Sequence, residues 1–340
     1  MIVIDGSLGE GGGQVVRSAV ALSVLTQKPI QINNVRAKRK KPGLMRQHMT
    51  AVRAAATLCG AEIDNVQLGS HGFRFQPGRV KAGRYHFPIG TAGSTTLVLQ
   101  TILYPLLAAD GPCVAVIEGG THNPKAPTVE FIQRTFVPML QRMGAEISVR
   151  LERRGYVPAG GGRIVLETQP IQQWQPLHLK DGHETVERTA RAWVAQLPAK
   201  IGTQQMGKMQ QLLEIPKTHC FVHEVRDSLA PGNSFEVAIQ GNQVHETFSA
   251  IGRINVRSRF LAAEIFKEIK AFLAAGVPVG EHLADQLLIP AALAGAGSFY
   301  TVTPSLHTHT NMDVIRHFLP IRFETEAVRE DAYRISISPD

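Results

Sequence analysis

Hydrophobic and polar positions change period repeatedly along this chain, and each change predicts an element. Residues 1–5 form a short apolar strand, Gly9 to Gln14 form a glycine loop, and Val15, Ala19, Leu22 and Leu25 then recur on one helical face. A strand is predicted over 30–35 and a helix over 44–59, with Met45, Met49, Val52 and Ala56 on one face. Arg46, Gln47, His48 and Arg53 fall largely on its other faces, which makes its polar side rich in donors. Strands with turns between them follow within 63–75 and 79–87. A small-residue loop, 90–96, opens a helix through Gln100 toward Leu107. A strand at 114–118 leads through Gly119-Gly120-Thr121 into a helix over 128–143, and strands at 147–151 and 162–168 flank a glycine-rich loop. The recurring theme of strand, small-residue loop and helix predicts tandem α/β units of similar build.

Near Trp174 the pattern changes. Residues 190–213 are rich in Gln, and Leu261, Ile265, Ile269 and Phe272 mark an amphipathic helix before a Gly- and Pro-containing joint at 274–280. Residues 283–293 read as a helix carrying Asp285 and Gln286 early on, 298–303 as a strand and 312–319 as a helix capped by Thr310 or Asn311. Strands at 322–325 and 333–337 close the chain. The expected fold is α/β (α+β): a large domain of tandem repeated βαβαββ-like units, residues 1–175 and 277–340, interrupted by a smaller inserted α/β domain at 176–276.

Composition narrows the class. At 340 residues and 44% hydrophobic content the chain can bury a sizeable core. No apolar stretch is long enough to span a membrane, and no signal peptide is visible, so a cytoplasmic protein is expected. Cys59, Cys113 and Cys220 are odd in number and far apart, which fits reduced thiols. The formal charge of +8 favours a polyanionic partner, and it is concentrated in Arg36-Ala37-Lys38-Arg39-Lys40-Lys41, either a solvated loop or a phosphate-tracking surface.

Strand, glycine loop and helix together offer free backbone N–H groups to an anion. The spacing at 9–14 is neither the dinucleotide fingerprint nor a P-loop. Glu10 is the loop's one acid, fit either to answer the helix dipole or to hold a divalent ion. Gly202 to Met209 nearly spells a P-loop, but Met209 replaces the hydroxyl residue that would bind magnesium. His219 and His223 lack identifiable further ligands. The stretch Pro304 to Asn311 puts His307 and His309 at a strand-to-helix junction. They are either polar turn residues bonded to nearby backbone, or a nucleophile or ligand held between rigid elements.

Several stretches together resemble the RNA 3'-terminal phosphate cyclases. They are Asp5-Gly6 with Gly9 to Gln14 and Arg17; Arg36 through Leu44 with Arg46-Gln47-His48; Gly90 to Gln100; Gly119-Gly120-Thr121 with Asn123-Pro124 and Ala126-Pro127; Arg154 to Gly162; Gly280-Glu281 with Ala284-Asp285-Gln286; and His307 with Thr310-Asn311. The match runs nearly the full length in the same order. The resemblance implies an enzyme that uses ATP to convert an RNA 3'-phosphate to a 2',3'-cyclic phosphate through a covalent histidine–AMP and an RNA adenylate, releasing diphosphate and AMP. The family histidine stands two residues before Thr-Asn, which places it on His307, with His309 at a variable position.

By the same resemblance Glu10 falls where the family has a metal carboxylate, for Mg or Mn. Arg17, Arg36, Arg39, Gln47, His48, Gln100, Pro127, Asp285 and Gln286 fall where it contacts nucleotide or phosphates. RNA with a 3'-terminal phosphate is the implied partner, with Lys38, Lys40 and Lys41 as expected contacts, and a homo-oligomer stays open. Two departures stand out: His122 replaces an acid after Gly-Gly-Thr, and Arg257-Ser258-Arg259 replaces a stretch usually small and acidic. A non-catalytic relative acting in ribosome biogenesis should lack the histidine. An enolpyruvyl transferase shares the repeated units but has no use for it. A generic basic RNA-binding protein would need neither ATP nor a terminal phosphate.

Overall fold

The computed structural model describes residues 1–9 and 11–340. The first unit runs β1 (Ile2–Asp5), α1 (Gly13–Thr26), β2 (Ile30–Asn33), α2 (Arg46–Cys59), β3 (Glu62–Asp64) and β4 (Phe73–Gln76). Its sheet has the order β1-β2-β4-β3, with β1 parallel to β2 and the other pairs antiparallel. The second unit runs β5 (Gly83–Pro88), α3 (Thr95–Leu107), β6 (Cys113–Gly119), α4 (Val129–Phe131), α5 (Val137–Arg142), β7 (Ile147–Arg153) and β8 (Gly162–Thr168). It repeats the same wiring as β5-β6-β8-β7. In both, a parallel pair needs a helical crossover and the closing pair needs only a turn.

A third copy opens at β9 (Leu177–His178). The chain then leaves it for β10 (Thr185–Ala195), α6 (Lys200–Leu213), β11 (Cys220–Val225), β12 (Gly232–Gly241), β13 (His245–Ile251) and α7 (Ser258–Ala275). It returns through α8 (Glu281–Ala294), β14 (Gly297–Thr301), α9 (Leu306–Arg316), β15 (Ile321–Arg329) and β16 (Ala332–Pro339). β9 pairs parallel with β14, and the sheet order β15-β16-β14-β9 restores the βαβαββ pattern. The intervening elements build their own sheet, β11-β10-β12-β13, over a separate apolar cluster that includes Phe235, Ile265 and Phe272.

The helices of the three copies pack together: α1 against α2, α3 and α9, α2 against α3, and α8 against α9. Alternation along the strands supports this layering, because Phe73 and Phe75 of β4 are buried while Arg74 and Gln76 are exposed. No helix among the described residues is long and apolar enough to cross a membrane. All three cysteines are free.

Three local expectations are corrected, at α2, over 128–143 and at α9. α2 starts at Arg46 rather than residue 44, because the Leu44 N–H bonds the Ser70 carbonyl and the Leu44 carbonyl accepts from Gly69. The expected helix over 128–143 is interrupted by a π turn, Ile132–Phe136, just before Pro138, which has no N–H to continue the ladder. The near-P-loop residues lie within α6 as ordinary helix. α9 begins at Leu306, not after Asn311: Ser305 is its cap, and its Oγ accepts from the Thr308 N–H at 3.3 Å.

The inserted sheet docks through buried polar contacts. Thr135 of the π turn donates to Thr247 at 3.0 Å, Tyr156 and Ser234 hydroxyls meet at 3.0 Å, and Glu236 pairs with Arg134. Glu246 of β13 accepts from the Gly280 N–H at 2.6 Å, at the start of α8. Burial pushes its carboxyl up to about 8, from an ordinary value of 4.5. Below pH 4.5 the folded and unfolded chains both hold this proton. Above it only the folded chain does, so stability falls by about 1.4 kcal/mol per pH unit until the folded carboxyl ionises. Glu246→Gln keeps the acceptor and removes the titration. It should therefore be more stable than wild type at pH 8 and close to it at pH 5 in urea unfolding; a pH-independent difference would contradict this assignment.

Candidate active site

The first turns of α1, α2, α3 and α9 converge. The glycine loop enters α1 closely packed by basic side chains and the His48 ring. A Cβ on Gly11 would lie 3.1 Å from the Lys38 side chain, one on Gly12 2.8 Å from an Arg39 guanidinium nitrogen, and one on Gly13 against the His48 ring and 3.0 Å from Arg17. Gly9 has a positive φ of 55° and abuts the Thr310 side chain, which brings the loop against α9. Lys38 donates to the Gly9 carbonyl at 3.0 Å, while Lys40 and Lys41 stay exposed. The result is a glycine loop at the N-terminus of α1 with Lys38 and the guanidinium groups of Arg17 and Arg39 against it.

His48 is buried, contrary to the polar outer face expected for it. Its Nδ1 accepts from the Met45 N–H at 3.2 Å, so the neutral ring carries its hydrogen on Nε2, facing Gly13. Burial, then Arg17 and Arg36, bring its pKa down to about 3, so it is a donor that does not charge in the working pH range. Burial also lowers Arg17 to about 10, with Asp285 opposing the shift. Arg36, at a positive φ, spends one guanidinium nitrogen on the Lys41 and Gly43 carbonyls, both at 2.8 Å, and so closes the basic loop on itself.

His307 sits in the first turn of α9. Its Nδ1 meets Gln14 Oε1 at 2.9 Å, and Gln14 Nε2 donates to Asp285 Oδ1 at 2.6 Å. Asn311 also donates to Asp285 Oδ1, at 3.0 Å, and its own oxygen accepts from Ser18 at 2.7 Å. These bonds set one another's direction. A carboxylate only accepts, so Gln14 must turn its NH₂ toward Asp285 and its oxygen toward His307. His307 then holds its hydrogen on Nδ1, so the neutral ring carries its lone pair on Nε2. Burial pushes the Asp285 carboxyl up, while His307, Arg17 and Asn311 pull it down. His309, two residues on, is exposed, as helical geometry requires of positions about 200° apart.

The chain matches the family model described as RNA 3'-terminal phosphate cyclase over residues 8–325. It is 41% identical over 338 residues to a Koribacter versatilis (strain Ellin345) protein named RNA 3'-terminal phosphate cyclase, covering 99% of this chain and 95% of that relative. The chain belongs to the RNA 3'-terminal phosphate cyclase family.

In this cyclase-family chain the remaining expected residues lie on or against α3. Gln47 accepts from the Ser94 N–H at 3.1 Å, at the cap of α3. The Pro127 carbonyl accepts from Thr96 at 2.8 Å, and Gln100 lies one helical turn beyond Thr96 on the same face. Tyr104, a further turn along, donates to the Gln286 carbonyl at 3.4 Å, which leads back to Asp285. These contacts place Gln47, Pro127 and Gln286 against α3, on which Gln100 also lies.

Glu10 lies outside the described residues. Among the described residues no cluster of His, Cys, Asp and Glu side chains is arranged to hold a metal ion. Gln14, Asn311 and Ser18 had no role assigned from sequence, although Gln14 and Asn311 belong to the quoted motifs. His122 is fully buried, bonded through Nδ1 to Thr121 at 2.8 Å and through Nε2 to Glu130 at 2.8 Å, with Arg154 against both His122 and Glu130 and 4.1 Å above the Trp193 ring. The departure at His122 is therefore absorbed inside the protein, beside the inserted sheet.

Proposed function

We propose that this protein cyclises RNA 3'-phosphate ends at the expense of ATP, with His307 as the nucleophile. The observation that carries the reading is the Asp285–Gln14–His307 chain, which sets the hydrogen on Nδ1 of an imidazole bonded to the first turn of α1, where the cation-lined glycine loop ends. Nε2 attacks the α-phosphorus of ATP, the N–P bond forms and diphosphate leaves. The ring gains positive charge as it does so, and Gln14 Oε1, polarised by Asp285, answers that charge at Nδ1–H. Arg17, Arg39 and the loop N–H groups answer the charge that builds on the phosphate oxygens.

An oxygen of the RNA 3'-phosphate then attacks the phosphorus of the histidine-bound AMP, and His307 is released. The ribose 2'-oxygen attacks the 3'-phosphate, the cyclic ester closes and AMP departs. Glu10 is a hard oxygen donor of the kind Mg and Mn take, so a divalent ion held there would offset phosphate charge. No step above is routed through it. Gln47, Gln100, Pro127 and Gln286, on and against α3, are the residues proposed to receive the nucleoside.

Incubating the protein with ATP, a divalent ion and a 3'-phosphorylated oligoribonucleotide tests this. The expected product has a phosphatase-resistant 3' end, with AMP and diphosphate formed in equal amounts. Unchanged RNA across metals and pH would sink the proposal, and RNA binding that needs neither ATP nor a 3'-phosphate would favour a plain binding protein instead.

A further inference from the structure

We infer that the inserted sheet carries a second binding site, a cavity of about 890 Å³ that holds single-stranded RNA upstream of the reacting 3' end. The inference rests on the proposed RNA substrate. The cavity lies between α6, the start of α7 and the loop that joins β7 to β8. Its apolar wall includes Val157, Leu197 and Ile254, which are 56%, 39% and 93% exposed. Large apolar side chains left in solvent at one place mark a contact surface rather than a core defect.

Its charge selects the occupant. Lys208, Arg253, Arg257 and Arg259 line the cavity, Arg253 being paired with Glu264 outside it, and no carboxylate lines it among the described residues. The N-terminus of α7 opens there too. Its first turn has no acidic residue, although the helix dipole favours one, and arginines flank it instead. Ser258 is tied to Gln204 at 3.0 Å, and Asn233 exchanges amide bonds with Gln205 at 2.7 and 3.1 Å, so the floor is fixed. Cations beside exposed apolar side chains suit a single strand, whose phosphates meet the one and whose bases rest on the other. A duplex would hide those bases.

Position agrees with that role. The loop carrying Val157 and Pro158 borders the cavity, and three residues on it presses against the other part of the proposed site. A Cβ on Gly160 would lie 2.8 Å from the Ala92 Cα, two residues before the Ser94 N–H that Gln47 holds. The segment Arg257-Ser258-Arg259, a departure from the family pattern in the sequence, thereby acquires a function particular to this chain.

The test compares wild type with the double variant Arg257→Glu/Arg259→Glu for binding a labelled single-stranded RNA of about fifteen nucleotides. The RNA ends in a 3'-hydroxyl, which the proposed reaction cannot use, so binding is read apart from catalysis. Fluorescence anisotropy should show affinity reduced roughly tenfold or more, with a salt dependence shallower by about 1.4 in log–log slope. Labelling by ATP, measured on the same samples, should be unchanged and certifies the fold. Equal affinity and equal salt slope in the two proteins would overturn the inference. A wild type that takes no label from ATP would overturn the proposed function instead, and the binding comparison would still decide this site.

Discussion

His307→Ala protein should take up no label from α-labelled ATP and should cyclise RNA at least about 10⁴-fold more slowly than wild type. The size of the effect follows from what is removed. Without Nε2 there is no atom to receive the adenylyl group, and the glycine loop and arginines are left to orient ATP with nothing to attack it. His309→Ala should behave like wild type in the same assay, because His309 is exposed and lies about 200° around α9 from His307. Loss of labelling in His309→Ala alone would move the nucleophile and dismantle the tautomer argument.

Gln14→Leu is expected to be the second most damaging change. Leucine fills a similar volume but severs two bonds at once, the 2.6 Å link to Asp285 and the 2.9 Å link to His307. The imidazole loses the acceptor that keeps its hydrogen on Nδ1, and the ring is free to turn. A loss of roughly 10²–10³-fold in the labelling rate is expected, carried by the chemical step rather than by the ATP concentration needed. Gln14→Glu separates orientation from charge. It keeps an acceptor for Nδ1 but sets a second carboxylate beside Asp285 and favours the protonated ring, so its labelling should recover as pH rises. Near-normal labelling rates in Gln14→Leu would show that the Asp285–Gln14 relay is not used.

Much of the fold can be read in the chain because each copy announces itself with a strand, a run of small residues and a helix. The third copy is the exception. β9 is only two residues long, and the inserted sheet separates it from the helix that completes it. His307, the proposed nucleophile, stood out as a motif, but its setting did not. His307 reaches Gln14 across 293 residues of sequence, and no local pattern encodes such a bond. The α9 cap was misplaced for a local reason. Ser305, Thr310 and Asn311 are all residue types that cap helices, and only the Ser305 bond to Thr308 chooses among them. His48 looked solvated because its neighbours Arg46 and Gln47 are polar; it is buried because Gly13 leaves room for its ring. The π turn answers a single proline within an otherwise regular apolar face.

The central claim is that an AMP group becomes covalently attached to Nε2 of His307. The direct measurement is to react the full-length protein with ATP and a divalent ion without RNA, digest it at alkaline pH where a phosphoramidate survives, and locate the adduct by tandem mass spectrometry. The account predicts AMP on His307, lost on brief acid treatment and transferred to a 3'-phosphorylated RNA when one is added. An adduct on His309 or on a lysine, or one that acid leaves intact, would contradict it.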